Sequence, residues 1–121
     1  MTWTAGQFKQ EIIKDYNNIN LRMFNIGVKR QKVDIIGEKV LILAIHKRIP
    51  SLKYLDEMNR FVTRIADTAI IDAYKEQLKM TIEEKYEMKV HSVLKDYDPV
   101  TECSGTIIIL DKDASAYISG L

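Results

Sequence analysis

A chain of 121 residues with 46% apolar and 29% charged side chains has the composition of an ordinary folded domain rather than a disordered one. Its 18 basic side chains face 17 acidic ones, a net charge of +1. That balance argues against nucleic-acid binding, which draws its affinity from a basic excess set against phosphates. Cys103 is the single cysteine, so no intrachain disulfide can form, and this usage fits a reducing, cytoplasmic compartment.

The length predicts one core and a single domain over residues 1–121 that needs no metal or cross-link for stability. The start, Met1 to Gln7, lacks the basic residues and apolar stretch of a signal peptide. From Thr4 to Ile26 the apolar residues fall at Phe8, Ile12, Tyr16, Ile19, Met23 and Ile26. Such spacing predicts an amphipathic helix with one buried stripe, and Gly27 is the expected C-cap. Gln31 to Ile36 and Lys39 to Lys47 are β-favouring runs separated by Gly37-Glu38, which predicts a hairpin with Gly at the first turn position. The second run is apolar on both parities from Val40 to Ile45. A strand of that kind calls for cover on both faces, within the chain or from a second copy. It is also the longest nearly unbroken apolar stretch, far short of a membrane span.

Pro50 and Ser51 end the hairpin segment and open a run without Pro or Gly from Leu52 to Met88. The apolar stripe Leu55, Met58, Val62, Ile65, Ala69 rotates into Ile71, Tyr74, Leu78, Ile82. One long curved helix, or two segments with a break near Thr68, is expected. A continuous helix of that length spans about 50 Å, more than so small a domain covers by itself. Lys89 to Tyr97 alternates as a third strand, Asp98-Pro99 supplies a turn, and Cys103 to Leu110 forms a fourth strand. Residues 111–121 read as a loosely ordered tail. The expected fold is α+β in the order α-β-β-α-β-β, a four-stranded antiparallel sheet with two helices packed on one face.

Few residues suggest chemistry. His46, His91 and Cys103 are the soft ligands, but none of the close spacings of a zinc site is present. Cys103 opens an apolar strand without a histidine partner, and Glu83-Glu84, Asp111 and Asp113 read as solvated carboxylates. Asp67 and Asp72, set among apolar helix residues, come nearest to acid–base groups. No catalytic set, phosphate-binding loop or cofactor motif emerges, and the reading leans away from an enzyme. Arg30, Lys32, Lys47 and Arg48 lie where the hairpin brings its two ends together. They form a candidate patch for an anion, acidic headgroups or an acidic partner.

The hairpin Val33 to Leu43, the helix end Leu78 to Lys85, the segment Lys89 to Thr101 and the closing Thr106 to Leu110 together resemble a bacterial family of unknown function, the MpsC-like proteins. That family is named for a proposed sodium-translocating, membrane-potential-generating system. The resemblance implies a small cytoplasmic protein without an established activity. It also implies, as an alternative role, an accessory subunit of a membrane ion or bicarbonate transport system, bound peripherally. The residues themselves favour a non-catalytic binding or regulatory module that acts as a homodimer, because the two-sided strand and the long helix leave surplus apolar surface.

Overall fold

The computed structural model describes residues 3–121, so the first two residues of the expected 1–121 domain lie outside the described residues. Helix α1 runs from Ala5 to Phe24. Its N-terminus is closed by a capping box, in which the Thr4 hydroxyl accepts from the Gln7 N–H while the Gln7 side chain accepts from the Thr4 N–H. These bonds satisfy donors that a helix start otherwise leaves open. The buried stripe is Phe8, Ile12, Tyr16 and Ile19, as the periodicity predicts. The C-cap, however, is Asn25 at φ 57° and not Gly27. Asn tolerates the left-handed conformation, and Gly27 serves a different need. A Cβ there would stand 3.1 Å from Asn17 Oδ1, the atom that accepts from the Val28 N–H.

Strands β2 (Arg30–Ile36) and β3 (Lys39–Ile45) form the expected hairpin, with Gly37 at φ +59° in the turn. The run after Pro50 is broken at Asn59 and not near Thr68, giving α2 (Pro50–Met58) and α3 (Arg60–Lys85). Asn59 is extended at φ −156°, and its side chain caps α3 by accepting from the Val62 N–H. Capping chemistry thus overrides the apparent continuity of the apolar stripe. Strands β4 (Val90–Asp98) and β5 (Cys103–Leu110) follow.

The four long strands form an antiparallel sheet in the order β2-β3-β5-β4. Helices α1 and α3 cover the face that presents Val33, Val40, Ile42, Ala44, Ile108 and Leu110, and their own Tyr74, Leu78 and Ile82 complete the core. Three helices are therefore present where two were expected, and α2 buries none of its residues. The opposite face of β3 has no cover: Leu43 is 57% exposed, and Leu94 on β4 is 52% exposed.

Pairing of β4 with β5 slips by one residue between Val90 and Ser92. Val90 pairs with Leu110 and Val93 with Ile108, and all four side chains join the core. The slip reverses the parity of everything downstream. Lys95 and Tyr97, opposite the buried Thr106 and Ser104, consequently face the helices, while Leu94 faces outward.

Residues 111–121 are not a loose tail. Ala114 donates its N–H to the Gly37 carbonyl, a short 3-10 turn spans Ala114–Ala116, and β6 (Ile118–Ser119) pairs in parallel with β1 (Trp3–Thr4). Ala114 and Ile118 are buried, and these two apolar side chains outweigh the polar composition that suggests fraying.

Candidate functional site: a buried lysine beside a cavity

The parity reversal in β4 brings Lys95 into the space between sheet and helices. Its ammonium donates to the Tyr16 hydroxyl at 2.6 Å, to Ser104 Oγ at 2.7 Å and to Thr106 Oγ1 at 3.1 Å. The same nitrogen lies 4.4 Å from the Tyr74 ring centre and 4.9 Å from that of Tyr16, within cation–π range. Every contact is neutral. No carboxylate pairs with this nitrogen among the described residues. Burial therefore disfavours its charged form and lowers its pKa to about 7.

From Lys95 a chain of hydrogen bonds runs in one direction. Tyr16 donates to His46 Nε2 at 2.6 Å, and His46 Nδ1–H donates to Asn20 Oδ1 at 2.8 Å. Asn20 Nδ2 then donates to the Ile26 carbonyl at 2.7 Å. That last bond fixes the Asn20 amide orientation and hence the neutral Nδ1–H tautomer of His46. Burial, and then the Lys95 charge, hold the imidazole pKa down to about 3. Tyr74 donates its hydroxyl to the Tyr16 carbonyl, and Tyr97 donates to the His46 carbonyl, both at 2.9 Å. Burial raises the pKa of Tyr16, of Tyr74 and of Tyr97, the last to about 12. The three phenols act as neutral donors.

Beside this chain, Arg48 is held by two carboxylates. Its guanidinium meets Asp56 through Nε at 2.9 Å and Nη2 at 2.8 Å, and Asp67 through Nη1 at 2.6 Å and Nη2 at 3.1 Å. Arg60 adds Nη1 contacts to Asp67 at 2.9 Å and Asp56 at 3.3 Å. Burial opposes the Arg48 charge, but the bonds to Asp56 and Asp67 outweigh it and hold its pKa above the ordinary value. The bond from Arg48 is the main reason that the Asp56 pKa falls to about 2. The cluster ties α2 and α3 to the end of β3 and forms a wall of a cavity of about 60 Å³.

The candidate basic patch is divided by this arrangement. Arg48 is 5% exposed and its charge is matched. Arg30, Lys32 and Lys47 stay exposed, with Lys32 3.9 Å from Asp34. His46 and His91 are not neighbours, because β5 separates β3 from β4 and the two residues stand at opposite ends of the sheet. Cys103 is a partly buried free thiol. Asp67 is an ion-pair partner, and Asp72 lies on the helix surface, 4.0 Å from Lys75. Sequence reading misses Lys95, Tyr16 and Tyr74 as a polar group. The available signals are a lysine in a β-favouring run and tyrosines inside apolar stripes.

The fold and buried site define a small α+β domain in which two helix-and-hairpin units share one sheet. A family model described as "Na+-translocating membrane potential-generating system (MpsC)" matches residues 4–112, and the chain belongs to this family. No curated protein and no solved structure matches it.

Replacing Lys95 tests the electrostatics. An unfolded lysine titrates near 10.4, so between about pH 7 and 10 the unfolded chain binds more protons than the folded one. Wild-type stability then rises with pH in this window relative to Lys95→Met, by about 1 kcal/mol per pH unit, and the difference is flat below pH 7. Urea denaturation of both proteins at pH 6, 8 and 10 checks this. Parallel pH profiles would show that the amine is not desolvated.

Proposed function

We propose that this protein is a non-catalytic binding module that works as a homodimer through its α2–α3 arm. The observation that carries the reading is an apolar stripe with nothing to pack on. Met58 at the end of α2 and Phe61 and Ile65 on α3 are 67%, 72% and 58% exposed, and Tyr54, Leu55 and Val62 are further exposed apolar side chains of the same two helices. On α3 the spacing of 61, 62, 65 and 69 is that of a helix face buried against another helix, and Met58 ends α2 just before it in the chain. Helix α3 is about 39 Å long, and only its second half contributes Tyr74, Leu78 and Ile82 to the core. Two copies crossing antiparallel at Ile65 set the large Phe61 of one against the small Ala69 of the other, the interdigitation that helix packing favours. A net charge of +1 puts little repulsion between copies.

Light scattering at micromolar concentration tests the reading, with a dimer of the 14.0 kDa chain as the expected result. Ile65→Glu yields monomers, whereas Leu43→Glu on the open sheet face leaves the dimer intact. A wild-type monomer contradicts the dimer, and dissociation by Leu43→Glu alone moves the interface to the sheet.

The family description favours a second role, as a peripheral component of a membrane ion-translocating system. Among the described residues no helix is long and apolar enough to cross a membrane, so attachment proceeds through a partner or the lipid surface. Exposed Arg30, Lys32 and Lys47 give that partner a positive edge to meet. Co-fractionation of the native protein with membranes, released by high salt, is expected; recovery wholly in the soluble fraction at low salt counts against it.

A further inference from the structure

The cavity beside Lys95 has a polar floor and an apolar roof. Lys95 and Ser104 rise from the sheet and His46 from the residue after β3, while Phe24, Leu52 and Ile71 come from α1, α2 and α3. A volume of about 60 Å³ is room for roughly four to six water-sized groups, a molecule of about five or six non-hydrogen atoms.

The charges around it do not balance. Arg48 and Arg60 are offset by Asp56 and Asp67, His46 is neutral, Lys47 at the rim is exposed to water, and Glu102 is engaged by the Arg48 N–H at 2.6 Å in the adjoining surface groove. Lys95 is left as a largely buried cation that faces only hydroxyls and aromatic rings. A charge in that setting is costly unless an opposite charge joins it.

We propose that this cavity binds a three- or four-carbon monocarboxylate, with its carboxylate held by Lys95 and Ser104 and its alkyl chain against Phe24, Leu52 and Ile71. The three ammonium protons rest on neutral hydroxyls, and the longest of these bonds, to Thr106 at 3.1 Å, is the one a carboxylate oxygen replaces. The Ser104 hydroxyl, which now accepts from Lys95, turns to donate to the second oxygen. An inorganic oxyanion leaves the apolar roof unfilled, and a neutral molecule leaves the cation unmatched. The chain length follows from the volume and the anionic head from Lys95. The proposal deepens the binding-module reading by giving it a ligand, yet it does not require the dimer.

Butyrate and its uncharged isostere butyramide are titrated into the full chain at pH 7 and constant ionic strength, followed by backbone amide shifts and thermal midpoint. Butyrate is expected to saturate the Ser104 and Ile71 amide shifts and to raise the midpoint, with butyramide doing neither. Lys95→Met lowers butyrate affinity at least tenfold, and Ile71→Trp, which fills the roof and keeps the lysine, does the same. The proposal is overturned by an absence of saturable shifts with butyrate up to about 20 mM, where a millimolar site is largely filled. Equal binding of butyramide, or undiminished binding by either folded variant, also overturns it. Should both variants fail to fold, the wild-type contrast between butyrate and butyramide decides. Light scattering on the same samples separates the two readings, since an intact dimer without butyrate binding rejects the pocket alone.

Discussion

The interior of this protein is organised around one largely buried ammonium group. Lys95 has three hydroxyl acceptors, two aromatic faces and no anion. Its neighbours are fixed by the need to solvate it: Tyr16 accepts a hydrogen bond from it and donates one to His46, and His46 donates one to Asn20. The last acceptor is the Ile26 carbonyl, in the connection between α1 and β2. A single cation thus aligns helices α1 and α3, strands β4 and β5, and the segments that follow β3 and α1. Charged networks in low-dielectric surroundings are unfavourable when incomplete, so such an arrangement constrains the fold as much as it stabilises it.

A second charged cluster has the opposite character. Around Arg48 the two guanidinium groups and two carboxylates satisfy one another, and their task is positional. Helix α2 buries no residue, so its attachment to the body depends on the Asp56–Arg48 contact more than on apolar packing. That attachment orients the exposed stripe of the α2–α3 arm and closes one side of the cavity. Through Arg48 and Asp67, which line the cavity, this cluster connects the exposed stripe to that space.

Much of the architecture was legible in the residues. The stripe Phe8, Ile12, Tyr16, Ile19 marks α1, Gly37 marks the hairpin, and the alternation in β5 marks an inner strand. What escaped was set by a few residues whose effect depends on geometry. Asn59 breaks a helix that apolar spacing alone would continue, and Asn25 caps one that Gly27 seemed to end. Ala114 and Ile118 dock a segment whose composition is mostly polar. The candidate site was hidden for a sharper reason. Alternation from Val90 places Leu94 inside and Lys95 outside, and only the one-residue slip near His91 exchanges them. A basic patch was readable as a cluster of charges, but not the burial of Arg48, because its partners Asp56 and Asp67 lie on two later helices, α2 and α3.

Lys95 is a desolvated amine with no carboxylate partner among the described residues, and its own titration reports that state. In protein carrying ¹³C-labelled lysine, the side-chain carbon next to Nζ reports each amine separately as pH is raised. Lys95 is expected to titrate at about 7. A midpoint near the ordinary lysine value of about 10.4 would contradict it and would mean that water or an unseen anion already satisfies the charge.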